Sequence, residues 1–205
     1  MSDIVVADFD ETIIEQNTLI LAYGELAHMP LAFSVILAFI KGRWLWHGPR
    51  AAIKEEMYRR MLRGKREAEL AIAGRKIASR VTLNQATVSR IQQFLNQGHE
   101  LIVASAALAQ IVQAVLEEKG LLFSRVVASQ AEIEGGRLTG HLIGGECFGK
   151  TKAQRIRQVR EASYPSAYMI AFGNWPDDGP MLAEADEGYI VTGRTIKKFN
   201  SKNIP

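Results

Sequence analysis

Five short runs of apolar, largely β-branched residues recur along the chain, at 4–7, 101–104, 126–128, 169–172 and 189–191. Uninterrupted apolar runs of this length mark strands buried on both faces, as in parallel sheets covered by helices. Parallel neighbours need a crossover of a dozen or more residues between them. The stretches 106–120 and 151–162 are long enough to supply one each. The alternation predicts an α/β fold built on a doubly wound parallel sheet. At 205 residues the chain has room for one domain, or one domain plus an insert.

The segment from about Glu15 to Arg80 is of a different kind. It holds no convincing strand and reads as several helices, with breaks near Pro30, Gly42, Gly48-Pro49 and Gly64. It is therefore expected as a helical insert directly after the first strand. Residues 131–144 place Glu134-Gly135-Gly136-Arg137 between short alternating runs, which predicts a small β-hairpin.

Composition narrows the classes of function. Hydrophobic residues make up 47% and charged residues 23%, as in a packed globular protein. The single cysteine, Cys147, leaves no internal disulfide framework and no thiolate zinc cluster, and is expected as a small packing residue in a reducing compartment. The start of the chain lacks a basic segment followed by an apolar core, so no secretory signal is expected. Residues 19–40 are apolar-rich, but Glu25, His28 and Pro30 interrupt them, and the run 31–40 is too short to span a bilayer. A cytoplasmic protein without a membrane span is expected. His28, His47, His99 and His141 show no ligand spacing.

The net charge of +3 is uneven, because residues 41–80 carry twelve Lys/Arg against four Glu. A solvated helical face is the plainer reading of that stretch. A basic surface that guides an anionic ligand is the sharper one. Nucleic acid is a weaker fit, since no aromatic-interleaved or groove-reading motif accompanies the charge.

In open α/β sheets, ligands bind beyond the carboxyl ends of the strands. Asp8-Phe9-Asp10-Glu11-Thr12 follows the first run, Ser105 the second, and Gly173-Asn174-Trp175-Pro176-Asp177-Asp178 the fourth. Lys150 and Lys152 stand at the start of an expected helix. Acidic, hydroxyl and ammonium groups would thus converge on one edge, a composition suited to a phosphate and a divalent cation. A carboxylate can attack phosphorus to give an aspartyl phosphate. A second carboxyl can protonate the leaving group and then deprotonate water. The plainer readings are turn or N-cap roles for Asp8, Asp10, Ser105 and the Asp177-Asp178 pair.

These stretches, taken in order, resemble the four motifs of the haloacid dehalogenase (HAD) superfamily. With a helical insert after the first motif, the chain is most similar to the phosphoserine-phosphatase-like subfamily. The resemblance implies a Rossmann-like HAD core of residues 1–14 and 82–205 with a helical cap at 15–81. It implies a Mg2+-dependent phosphatase acting on a small phosphomonoester. Asp8 would be the nucleophile and a metal ligand, and Asp10 the general acid/base and a ligand through its backbone carbonyl. Thr12 would support the loop and belong to the substrate-binding set. Ser105 would bind a phosphoryl oxygen together with the backbone N–H groups that follow from Ala106. Cys147-Phe148-Gly149-Lys150-Thr151-Lys152 matches a family pattern that makes Lys152 the catalytic lysine, with Lys150 the alternative and a further phosphate contact. Asp178 would hold the metal, with the uncharged Asn174 amide oxygen as a further ligand. Asn174 stands where the family usually has an acid, and Asn17 where phosphoserine phosphatases typically place a glutamate for the substrate ammonium.

Two alternatives follow from those departures and from the charge. One is a catalytically weakened relative that binds a phosphorylated ligand or partner. The other is a basic nucleic-acid-binding protein with end-trimming phosphatase activity. Leu31, Phe33, Phe39, Trp44, Leu45 and Trp46 would form the cap's own core or, on a sharper reading, an apolar pocket for a bulky or lipid-like phosphomonoester.

Overall fold

A computed structural model describes residues 2–27, 30, 32, 34–36 and 48–200, with Arg50 described for its backbone alone. The large apolar residues expected in the cap (Leu31, Phe33, Phe39 and 44–46), together with His28 and His47, lie outside the described residues.

Seven strands form one sheet: β1 (Ile4–Asp8), β2 (Glu100–Leu108), β3 (Arg125–Glu134), β4 (Arg137–Ile143), β5 (Met169–Gly173), β6 (Glu187–Thr192) and β7 (Thr195–Lys198), ordered β4-β3-β2-β1-β5-β6-β7. The inner five are parallel, and β4 and β7 run antiparallel at the two edges. The five apolar runs of the sequence supply the parallel strands. Gly135 and Gly136, at φ 56° and 75°, make the tight turn of the expected hairpin between β3 and β4.

Seven described helices accompany the sheet: α1 (Thr18–Leu26), α2 (Pro49–Leu62), α3 (Glu67–Ala78), α4 (Gln85–Leu95), α5 (Ala109–Glu118), α6 (Gly149–Ser163) and α7 (Gly179–Glu184). The alternation of side chains along each strand sorts them into two cores. Val5, Ala7, Leu101, Val103, Ile170 and Phe172 point to the face packed by α3, α4 and α5, while Ile4, Val6, Ile102, Ala104, Met169 and Ala171 point to the face packed by α6 and α7. A sheet buried on both sides needs apolar residues at every position of its middle strands, and β1 and β5 are buried throughout.

One expectation is corrected, and one strand has no counterpart in the sequence reading. The helix expected from Ala106 begins at Ala109, because a bulge between Ser105 and Leu108 keeps β2 extended far enough for Leu108 to pair with Ser129. Strand β7 carries no apolar run. Its residues are exposed save for half-buried Ile196, so an edge strand of this kind leaves little hydrophobic signal.

Helices α1, α2 and α3 follow β1 in the chain. Residues on either side of that stretch meet again at an isolated bridge between Ile14 and Leu83, with Glu15 N–H donating to Thr82 O at 2.9 Å and Asn84 N–H to Ile13 O at 2.8 Å. Helix α3 then packs against α5 on the flank of the sheet.

Candidate active site

The three central strands β2, β1 and β5 end side by side and carry Ser105, Asp8 and Asn174 to one edge. A cleft of about 190 Å³ opens there, lined by Asp8, Asp10, Ser105, Ala106, Lys152, Asn174 and Asp178. Asn17, Lys54 and Phe148 complete the lining, together with Glu11 and Asp177.

Just past β1 the chain makes an irregular wide turn over Phe9–Ile13, closed by Ile14 N–H donating to Phe9 O at 3.1 Å. Asp10 is extended in this turn and Glu11 is left-handed at φ 60°. The turn brings Thr12 back beneath Asp8, so that its hydroxyl donates to Asp8 Oδ2 at 3.0 Å. The other Asp8 oxygen accepts from Lys152 Nζ at 2.7 Å, and the same ammonium donates to Asp178 Oδ1 at 2.6 Å. Lys152, Asp8 and Asp178 are all buried.

The close seating of Asp178 depends on Gly173. A methyl group at that position would lie 2.6 Å from Asp178 Cβ and 2.8 Å from Oδ2. Asp178 also accepts from Asn174 N–H at 2.9 Å, so its side chain serves the site rather than capping α7. Asp10 is held by Thr18, whose N–H and hydroxyl donate to Oδ1 at 3.1 and 2.8 Å.

The electrostatics follow from crowding. Burial first and the Asp8 charge second push the Asp10 carboxyl up to about 7, against the two Thr18 hydrogen bonds. The same two causes push Asp178 up to about 7, with Lys152 opposing. Burial works to lower the Lys152 pKa, but Asp8 and Asp178 outweigh it and hold the ammonium above the ordinary lysine range. Three carboxyls thus face one buried ammonium, and protonation relieves part of the excess negative charge.

That excess is also what a divalent cation would relieve. Among the described residues, no three His, Cys, Asp or Glu side chains are grouped closely enough to hold an ion by themselves. The oxygen atoms at the cleft nevertheless suit a hard cation completed by water: the carboxylates of Asp8 and Asp178, the Asn174 amide and the Asp10 carbonyl.

The family model for haloacid dehalogenase-like hydrolases matches residues 5–183. The chain belongs to the haloacid dehalogenase-like hydrolase family. Among its relatives is a phosphoserine phosphatase of Streptomyces coelicolor, 27% identical over 134 residues that cover 63% of this chain and 32% of the relative. A phosphoserine phosphatase of Archaeoglobus fulgidus is 24% identical over 124 residues, covering 60% and 36%. The match spans about a third of the length of each. A Bordetella pertussis protein of unknown function shares the fold with a TM-score of 0.71, at 17% identity over 92% of this chain and 89% of that one. The likeness read from the four motifs therefore holds at the level of family and fold.

Not every residue singled out from the sequence reaches the HAD cleft. Lys150 is exposed on the first turn of α6 and does not line it, because two residues further along the helix turn Lys152 inward and Lys150 outward. Thr12 is buried behind Asp8 rather than lining the cleft. Ser105 Oγ accepts from Ala107 N–H at 3.0 Å within the bulge, so the N–H groups beside it belong to β2 and not to a helix start.

Several residues at the cleft went unnoticed in the sequence. Thr18 orients Asp10, and Lys54 and Phe148 line the cleft, with the Lys54 ammonium 5.1 Å from the Phe148 ring centre. Ser129 donates to Ala106 O at 2.7 Å and accepts from Cys147 N–H at 2.9 Å. Lys54 is one of many basic residues in its stretch, and Ser129 stands far from every motif, so neither carries a local signal. Much of that basic stretch is paired: Arg59 and Arg60 with Glu56, Lys65 with Glu69, and Lys76 and Arg80 with Glu25.

Proposed function

We propose that the chain is a cytoplasmic, Mg2+-dependent phosphatase that hydrolyses a small phosphomonoester through an aspartyl phosphate on Asp8. The observation that carries this reading is the buried triad of Asp8, Lys152 and Asp178, with Ser105 and Asp10 in the same cleft. The single cysteine, buried and free, fits a reducing compartment. Among the described residues no helix is long and apolar enough to cross a membrane.

Asp8, Asp178, the Asn174 amide and the Asp10 carbonyl would hold Mg2+, which when bound offsets the repulsion between the nucleophile and the phosphate. Ser105 and Lys152 bind phosphoryl oxygens. The Ser105 hydroxyl oxygen already accepts from Ala107, which leaves its hydrogen to donate to the ligand. An Asp8 oxygen attacks phosphorus while the ester oxygen departs with a proton from Asp10. The Asp10 carboxyl, held at about 7 by burial, is matched to giving that proton near neutrality. Asp10 then takes a proton from water, which attacks the aspartyl phosphate, frees inorganic phosphate and restores Asp8.

The helical segment 15–81 acts as the cap over a core of 1–14 and 82–205. The Ile14–Leu83 bridge, where the two ends of the segment meet, supports that division, as do Asn17, Thr18 and Lys54 at the cleft. The relatives' name points to phosphoserine, but Asn17 in the cleft offers an ammonium group no charge.

The test is turnover of p-nitrophenyl phosphate with Mg2+. Asp8→Asn is expected to lower kcat on the order of a thousandfold or more. Equal rates for parent and variant would remove Asp8 from the mechanism. Asn174 favours a second reading, a relative that binds a phosphorylated ligand without turning it over. Phosphate binding with no Mg2+-dependent turnover across sugar, amino-acid, nucleotide and lipid phosphates would select it.

A further inference from the structure

A second cavity, of about 310 Å³, adjoins the catalytic cleft, and Lys54 lines both. Its walls come from Ala51, Lys54 and Tyr58 of α2 and from Gly140, His141 and Leu142 of β4, with Glu55, Gly145 and Glu146 completing it. The wall shared with the cleft is tied up internally. Lys54 Nζ pairs with Glu146 Oε1 at 2.7 Å. Tyr58 OH donates to the same oxygen at 3.2 Å and lies 3.3 Å from Ala106 O at the phosphate end of the cleft. With those polar atoms engaged, most of the remaining wall is apolar (a methyl group, a lysine stem, a phenol ring, a leucine and two glycine backbones), with Glu55 and His141 the polar exceptions.

We propose that this second cavity receives the alcohol portion of the substrate, and that the substrate is a phosphomonoester whose alcohol bears an uncharged apolar chain or ring. The inference rests on the phosphatase reading for which end of the ligand lies at Asp8. With the phosphoryl group at Asp8, Ser105 and Lys152, the alcohol extends toward the remaining lining of Asn17, Phe148 and Lys54, the last of which also lines the second cavity. Asn17 supplies an amide there and no charge. Lys54 is about a fifth exposed on a flexible stem, so it is the movable part of the partition. A two- or three-carbon charged alcohol would leave the cavity unfilled and its apolar walls unburied, whereas an apolar chain gains burial with every carbon it places there. The described residues that make the cavity are distinct from the large apolar residues expected in the cap.

Isothermal titration of the full chain with methylphosphonate and n-hexylphosphonate, in Mg2+, tests this without requiring turnover. Each buried methylene is worth roughly fourfold in affinity, so hexylphosphonate is expected to bind at least about thirtyfold more tightly. Ala51 is exposed on α2 and lines the second cavity alone, so Ala51→Trp fills that space with little risk to folding. It is expected to bring the preference for the hexyl compound to within about threefold while methylphosphonate binds as to the parent. Ala51→Leu, a smaller change, should fall between. Equal affinities in the parent, or an undiminished preference in a folded Ala51→Trp, would overturn the proposal. A hexyl preference without turnover of hexyl phosphate would remove the phosphatase reading alone, and binding of neither phosphonate would remove both.

Discussion

Two lysines meet carboxylates at this site, and the contrast between them organises the molecule. Lys152 reaches Asp8 and Asp178 with all three side chains at 5% exposure or less. Lys54 meets Glu146 at the same 2.7 Å, but the two side chains are 22% and 21% exposed. In the first case water is excluded and each partner depends on the others for its charge. In the second, solvent can replace either partner, so the pair is weak and exchangeable. Under the proposed function the buried triad carries the chemistry, and the half-buried pair stands between the cleft and the second cavity.

Removing each cation separates the two most sharply. Lys152→Ala leaves two buried carboxylates facing each other and is expected to cost about 3–5 kcal/mol in urea denaturation, with most of the loss recovered in Lys152→Ala/Asp178→Asn. Comparable losses from Lys152→Ala and Lys54→Ala would break the comparison. The sign with pH follows from the raised pKa of Lys152. A group protonated more tightly in the folded state stabilises it fully below its unfolded value and loses that contribution as pH climbs toward the folded one. The urea-midpoint gap between parent and Lys152→Ala should therefore hold up to about pH 10 and narrow above it.

Gly173→Ala probes the geometry of the triad without touching its charge. The added methyl group displaces Asp178, and kcat on p-nitrophenyl phosphate is expected to fall on the order of a hundredfold. Thr12→Val removes the hydroxyl from Asp8 Oδ2 and should cost about 1–3 kcal/mol, read by thermal denaturation, because a buried acceptor loses its donor. Glu146→Gln completes the series at the half-buried pair, with a change in stability below about 1 kcal/mol in urea.

The sequence disclosed the parts of this arrangement that rest on local pattern. The apolar runs announced the parallel strands because burial on both faces demands them, and the Gly-Gly pair announced the hairpin because its turn needs two left-handed residues. Asp8, Asp10, Ser105, Lys152, Asn174 and Asp178 were legible as strand-end or helix-start residues, and the structure brings them to one cleft. The choice between Lys150 and Lys152 was not legible, since it turns on which face of α6 meets the sheet. Nor were Lys54, Tyr58 and Glu146, which meet across 88 and 92 residues of chain. Helix α4 escaped notice although Val88, Ile91 and Leu95 recur at helical spacing and pack against the core.

Ser129 gives the site a further property. One hydroxyl, donating to the Ala106 carbonyl and receiving the Cys147 amide, ties the bulge of β2 beside Ser105 to the segment that leads into Lys152. The two groups proposed to bind the phosphoryl oxygens therefore hang from a common peg. Under the proposed function, loss of that one hydroxyl would loosen both contacts together.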